Sequence, residues 1–344
     1  MNRRSFIRGA GALAAAGAIA TVAGVPAYAR RPEQREGWPS KFTIGIYPDD
    51  DAAKAIAANE SLRAYLEARL GIPVELFTAT SYSAIVEALR AKRIDALEVG
   101  PFAHVLAVQE AKAQPLAVAI YPRIPRGGVA RVDPRLVPYY YSVIFTKKGS
   151  GITTFEDLRG KDFAFTDPAS ASGHLMPKTL LFQKGLNPDK DLRAVFAGSH
   201  PAAVLAVWND KVAAAATFED NLYLMANNGQ VDTCGFADGI NRQRTEAEVR
   251  LRYNACKDGQ LVIIGFTPPI PNTPFAVRPD LPESFKQATR EALLKLKEDP
   301  ALVAKHQRYY EDPTERLKLK KLDDFYNVLR AAAQFLKLDL TKMR

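Results

Sequence analysis

The sequence predicts an α/β protein built as a two-lobed clamshell, with a ligand cleft between the lobes. Three observations lead there. Short apolar, β-prone runs alternate with helical stretches along most of the 344 residues, the pattern of βα units that build a two-sided parallel sheet. The alternation runs twice, with different sequences before and after the tyrosine run at Tyr139-Tyr140-Tyr141. Residues 30–344, which follow an N-terminal export signal, make a length that suits two domains.

In the first half, Phe42-Thr-Ile-Gly-Ile-Tyr47 alternates as a strand and stops at Pro48-Asp49-Asp50-Asp51, where negative charge favours a helix start. Residues 62–70 have helical spacing, 73–78 read as a strand, and 81–91 as an amphipathic helix with Ile85, Val86 and Leu89 on one side. A strand over 94–99, a helix over 103–111 and a strand over 115–121 follow. The second half repeats the rhythm, with strands over 140–146, 162–165, 192–196 and 212–217. Helices fall over 155–158, 175–184, 201–208 and 220–226. Residues 227–257 are polar and read as an insertion; strands over 261–266 and 275–278 follow. Helices over 283–296, 301–309 and 322–336 close the chain. The expected domains are a signal at 1–29, lobe I at 30–139 plus 275–344, and lobe II at 140–274 with the insertion 227–257. Crossovers near 140–147 and 267–278 form the hinge, and the cleft lies at the carboxyl ends of strands.

The N-terminus directs export. Asn2-Arg3-Arg4-Ser5-Phe6-Ile7-Arg8 precedes an uncharged Ala/Gly/Val-rich stretch that ends in Ala27-Tyr28-Ala29. A basic start, an apolar run and a small-x-small site make a secretory signal, and the paired arginines mark the twin-arginine route for folded proteins. The Ala/Gly-rich run is too short and too weakly apolar for a membrane anchor, and no cysteine follows it for lipid attachment. The expected product is a freely soluble periplasmic protein starting near Arg30. In that oxidising compartment Cys234 and Cys256, the only cysteines, either pair or stand as two buried thiols; the polar, Gly/Asn-rich flanks favour the pair. They form no zinc-like cluster.

Formal net charge is +9; loss of Arg3, Arg4 and Arg8 leaves 9 − 3 = +6. That excess favours anionic ligands at long range. The basic residues are dispersed without aromatic interleaving, so no nucleic-acid partner is expected.

The most informative segment is Phe165-Thr-Asp-Pro-Ala-Ser-Ala-Ser-Gly-His-Leu-Met-Pro177. It joins a strand to a helix and brings two hydroxyls and several amides to a helix N-terminus, a setting that suits an oxyanion. An ordinary Ser-rich N-cap would give the same composition. There is no Gly-x-x-x-x-Gly-Lys, so nucleotide binding is not implied.

Asp167-Pro-x-Ser-x-Ser-Gly-x-Leu-x-Pro177 resembles the signature of the phosphonate/phosphite/phosphate-binding proteins of ABC importers, the PhnD-like family. The resemblance extends over about 42–278. It implies a type II-like periplasmic-binding-protein clamshell that passes a small phosphorus oxyanion to an ABC transporter permease, as a monomer, without cofactor, metal or catalytic residues. The family's Ser-Thr-Ser run corresponds to Ser170, Ala171 and Ser172, followed by Gly173; Ala171 retains only its backbone amide. Ala79-Thr-Ser-Tyr82 resembles the loop with a ligand-facing tyrosine. Tyr140 best matches the second tyrosine, Val99-Gly100-Pro101-Phe102 the cleft-lining turn, and Gly198-Ser-His200 the family's Gly-x-His. Acidic residues that hold an aminoethylphosphonate amine in the family fall at Asp220 and at Thr273, where the carboxylate is lost. Phosphate, phosphite or a small uncharged phosphonate is therefore expected. His104 and His306 are assigned to structure, and His174 to the edge of the site.

Two rival classes are an exported sensory protein of the same fold and a phosphate-ester hydrolase. The second would need a nucleophile with its base or a metal site. Ser170 or Ser172 with His200 is the one pairing on offer, without a Gly-x-Ser-x-Gly elbow or a His-x-x-x-His ligand pair.

Overall fold

The computed structural model describes residues 35–47, 52–121, 138–236 and 242–340. The export signal read over 1–29 and the helix start at 48–51 lie outside them.

In chain order the first strands are β1 (Phe42–Ile46), β2 (Val74–Phe77), β3 (Ala96–Glu98) and β4 (Gln114–Ile120). Then come β5 (Tyr139–Tyr140), β6 (Ser142–Lys147), β7 (Asp162–Phe165), β8 (Arg193–Phe196) and β9 (Ala214–Phe218). The last are β10 (Thr233–Cys234), β11 (Leu261–Phe266), β12 (Ile270–Pro271), β13 (Pro274–Val277) and β14 (Tyr309–Glu311). They form two six-stranded sheets, ordered β14-β4-β13-β3-β1-β2 and β10-β11-β6-β9-β7-β8, plus a two-stranded ribbon of β5 with β12.

Each sheet is mixed, a correction to the parallel sheets the alternation suggests. The βα units do pair in parallel, β1 with β2 and β3, and β7 with β8 and β9. β6, β13 and β14 run against their neighbours. β6 and β13 are the strands by which the chain enters the second sheet and returns to the first, so they arrive from the opposite direction. The two passages between sheets pair as the ribbon, Tyr140 opposite Ile270 and Tyr139 opposite Pro271.

Each sheet has its own core. Phe145, Phe163, Leu181, Val204 and Phe266 are buried in the second; Phe42, Ile44, Leu62, Leu66 and Phe285 are buried on one face of the first. A third cluster joins the halves. It packs Ile85, Leu97 and Phe102 with Ala169, Ala171, Leu175 and Met176 of the second half, and with Phe325, Tyr326 and Leu329 near the C-terminus. The C-terminal helix Asn327–Phe335 thereby touches both the helix Pro101–Ala111 and the turn Ala171–Leu175. Beneath the first sheet Glu98 is buried with Arg308, Nε to Oε1 3.0 Å, and accepts the Tyr310 hydroxyl at 2.9 Å. A buried charge of this kind persists because it is paired and hydrogen-bonded.

Several elements differ from the sequence reading: the first helix spans Ala52–Leu70 rather than 62–70 alone, Pro188–Asp191 is an extra short helix, and Leu322–Tyr326 is a 3-10 turn ahead of the C-terminal helix. The helix expected over 301–309 is Pro300–His306; Gln307 turns left-handed with φ 57° and the chain leaves as edge strand β14. The polar insertion contains a helix, Glu246–Ala255, opened by a reciprocal capping box between Thr245 and Glu248. Only Val249 and Tyr253 of that helix are buried, so it carries no apolar stripe to read. Among the described residues no helix is long and apolar enough to cross a membrane.

Cys234 and Cys256 form a disulfide across 22 residues, packed with Tyr253 and Val262. The Tyr253 hydroxyl accepts the amides of Gly149 and Gly151 at 2.9 and 2.8 Å, tying the insertion to the sheet. Closing a loop of this length stabilises by about 3 kcal/mol in the chain-entropy model. A Cys234→Ser/Cys256→Ser protein is expected to unfold at clearly lower denaturant; an unchanged midpoint would contradict a structural role for the bond.

Candidate functional site

The site grows from the chain leaving β7. Asp167 Oδ1 accepts the Ala169 amide at 2.7 Å, and the Asp167 carbonyl accepts the Ser170 amide at 2.9 Å, a tight turn built by the aspartate itself. Ser170 then caps the next element, its Oγ accepting the Gly173 amide at 3.0 Å. Ala171–Leu175 is one wide π-helical turn, with the Leu175 amide bonded to the Ser170 carbonyl at 3.0 Å, and it runs into the helix Met176–Gln183. Pro177 sits at that helix start, where a missing amide costs nothing. Ser142 of β6 donates its hydroxyl to the Ser172 carbonyl at 2.5 Å and fixes the turn to the sheet.

Glycine is required at 173 by close approach. A Cβ there would fall 1.7 Å from Thr166 Oγ1 and 2.6 Å from Thr166 Cβ. The Gly173 carbonyl also accepts the Thr166 amide at 3.1 Å, which folds the turn back on the end of β7.

His200 opens the helix His200–Trp208, whose cap is Ser199 Oγ accepting the Ala202 amide at 3.1 Å. Its ring is buried, with Nε2 3.3 Å from Ser170 Oγ and Nδ1 2.9 Å from Thr217 Oγ1. The Phe218 ring meets it edge-on at 4.7 Å and Tyr47 lies near-parallel at 6.3 Å. Burial pushes its pKa down to about 3, so the imidazole is neutral at physiological pH.

Tyr82 comes from the other half of the molecule. It begins the helix Tyr82–Arg90 behind the cap Ser81, and its ring is buried edge-on to Tyr47 at 5.2 Å. Gly100 allows this, since a Cβ there would lie 3.2 Å from the Tyr82 ring. The Tyr82 amide reaches the Asp167 carboxylate, a bond between the halves, while burial raises the acid's pKa. Burial also raises the Tyr82 phenol, which pairs with Tyr47. On the ribbon, Tyr140 is hydrogen-bonded to the Ser172 side chain and its phenol is likewise raised by burial. Tyr141 points the other way into the second core.

The expected residues Tyr82, Tyr140, Ser170, Ala171, Ser172, Gly173 and His200 thus fall around one desolvated locus. Asp220 is half-buried in the first turn of the helix Glu219–Asn227. Its neighbour Glu219 is the buried acid, and its carboxylate accepts the Tyr141 amide at 2.8 Å. His174 is adjacent, its Nδ1 2.8 Å from the Pro168 carbonyl. His104 and His306 lie elsewhere, facing Asp323 and Tyr310. Tyr47 and Thr217 escape the sequence reading, and Asp167 enters it only as the first residue of the motif, without a role of its own; the signal available for Tyr47 and Thr217 is position alone, each at the carboxyl end of a strand beside the cleft.

Among the described residues no lysine or arginine takes part in the contacts of Tyr82, Tyr140, Ser170, Ser172 or His200. The polar inventory is hydroxyls, a neutral imidazole and helix-terminal amides, beside the Asp167 carboxylate, which is engaged by the Ala169 and Tyr82 amides. Such a set can wrap an oxyanion with donors from several directions.

A family model described as ABC transporter, phosphonate, periplasmic substrate-binding protein matches residues 44–320. The phosphate-import protein PhnD of Mycolicibacterium smegmatis is 30% identical over 220 residues, covering 60% of this chain and 64% of that protein. The phosphonates-binding periplasmic protein of Escherichia coli is 27% identical over 225 residues, covering 64% of this chain and 56% of its own. The chain therefore spans somewhat over half the length of these relatives. PhnD1 of Prochlorococcus marinus, solved in complex with methylphosphonate, shares the fold with a TM-score of 0.62 at 19% identity, covering 87% of this chain and 99% of its own.

Gly173→Ala is expected to lower stability by about 1–3 kcal/mol through overpacking, with partial recovery when Thr166→Ala is added. Thermal unfolding of the three proteins checks this. A single variant as stable as the parent would contradict the close approach.

Proposed function

The chain belongs to the periplasmic phosphonate substrate-binding proteins of ABC transporters, and we propose that it captures a small phosphorus oxyanion between its lobes for an ABC permease. The observation that carries this is the turn at 170–173, with its hydroxyls and amides, set opposite Tyr82 from the other half of the molecule. An anion can be stripped of water there because several donors replace the lost hydration, and bonds to a charged acceptor contribute about 1.5–3 kcal/mol each. Neutral donors leave the attraction moderate enough for release to a transporter.

The ligand class follows from the acids. Aminoethylphosphonate would require carboxylates aimed at its ammonium group. Of the two expected positions only Asp220 keeps a carboxylate, half-buried in its helix's first turn; its neighbour Glu219 is committed to the Tyr141 amide, and Thr273, where the second acid is lost, hydrogen-bonds Tyr121. We therefore favour phosphate, phosphite or an uncharged phosphonate. The relatives named above as a phosphate importer and a phosphonates-binding protein fall within that class. The leader at 1–29 supports export to the periplasm in the folded state by the twin-arginine route.

We read the Ser170–His200 contact as binding rather than catalytic. The imidazole Nδ1 faces the Thr217 hydroxyl instead of a carboxylate, so a developing imidazolium would gain no counter-charge.

Isothermal titration of the mature protein with phosphate, phosphite, methylphosphonate and aminoethylphosphonate tests the proposal. One of the first three is expected to bind best. Ser172→Ala should weaken it roughly ten- to a hundredfold. Binding to none of the four, or hydrolysis of a phosphate ester by the purified protein, would overturn it.

A further inference from the structure

Ser170 has one hydroxyl proton and two groups that could receive it. Its Oγ already accepts the Gly173 amide at 3.0 Å and lies 3.3 Å from His200 Nε2. If Nε2 is bare, Ser170 must donate to it and turns a lone pair toward the cleft. If Nε2 carries the ring proton, His200 donates to Ser170, and the Ser170 proton points outward. Only the second arrangement suits an oxyanion.

The choice is made on the far side of the ring. His200 Nδ1 is 2.9 Å from Thr217 Oγ1, and the Asn221 side-chain amide donates to the same Oγ1 at 3.1 Å. Thr217 is fully buried at the end of β9, and Asn221 follows four residues later, buried on the next helix. With Asn221 donating into Thr217 Oγ1, the threonine proton is left to find an acceptor. Among its described side-chain contacts, His200 Nδ1 is the group that can take it. The rings of Phe218 and Tyr47 hold the imidazole plane, so neither bond is lost by rotation.

We propose that Asn221 and Thr217 are positioning residues that hold His200 with its proton on Nε2, and thereby direct the Ser170 hydroxyl proton at the bound oxyanion. The chain of donors runs Asn221 to Thr217 to His200 to Ser170 to ligand. This rests on the oxyanion-binding function proposed above and assigns residues outside the ligand's own contacts. It also sets a selectivity: the ligand oxygen facing Ser170 must be unprotonated, since the hydroxyl there has a donor to offer and its acceptor capacity is already used.

The test is a long-range proton–nitrogen correlation spectrum of the mature protein labelled with nitrogen-15 in histidine, with the His200 signals assigned by their loss in His200→Gln. Nδ1 is expected to be the bare nitrogen and Nε2 the protonated one, with or without added ligand. Asn221→Asp replaces the donor by an acceptor, so the Thr217 proton turns to Asp, Nδ1 becomes protonated, and the tautomer reverses. Titrations with phosphate, phosphite and methylphosphonate should show Thr217→Val and Asn221→Asp weakened about tenfold, with Thr217→Ser near the parent. Thermal unfolding identifies any variant that fails to fold; the parent spectrum and Thr217→Ser decide the matter without it. A parent protein with the proton on Nδ1, or a folded Thr217→Val that binds within twofold of the parent, would overturn the proposal. If the parent binds none of the three anions, the oxyanion-binding reading fails, while the spectrum still reports the tautomer separately.

Discussion

Under the proposed function, burying an anion where no lysine or arginine of the described residues takes part is the constraint around which the candidate site is arranged. Removing a charged group from water costs several kcal/mol unless its hydration is replaced. Here the replacements are neutral and must be supplied by geometry. Ser170 reaches its place because Asp167 folds the preceding turn, and Ser172 because the wide turn Ala171–Leu175 is clamped by Ser142. Gly173 lets that turn lie against Thr166.

The same turn is also a structural junction. Ala171 and Leu175 pack with Phe102 from the first sheet's helices and with Leu329 near the C-terminus. The Asp167 carboxylate reaches the Tyr82 amide across the halves. The element proposed to hold the ligand is thus the element through which the lobes touch. On the proposed function, domain closure and ligand capture would depend on the same few residues. The paired crossovers, Tyr140 opposite Ile270 and Tyr139 opposite Pro271, carry the chain between the lobes beside this shared cluster.

Much of the fold is legible in the sequence because strands and helices alternate with clear apolar patterns, as in Phe42–Ile46 and Ser142–Lys147. The direction of β6 and β13 is not, since strand patterning carries no sign of parallel or antiparallel partners. The helix Glu246–Ala255 is hidden by its polarity, and the end of Pro300–His306 by a left-handed residue that is glutamine rather than glycine. For the site, the Ser-Ala-Ser-Gly run announces itself through a family resemblance more than through chemistry, because Ser-rich caps are common. Thr217 and Asn221 could not be singled out. Their part comes from lying within reach of one imidazole, and that proximity is created by the turn from β9 into the following helix.

The most direct measurement is diffraction from crystals of the mature protein grown with phosphate. The phosphorus atom is expected between the turn at 170–173 and Tyr82, its oxygens within hydrogen-bond distance of Ser170 and Ser172, with His200 behind Ser170 and no lysine or arginine of the chain in contact with it. Phosphate bound away from that turn, or held in the cleft by a cationic side chain, would contradict capture by neutral donors.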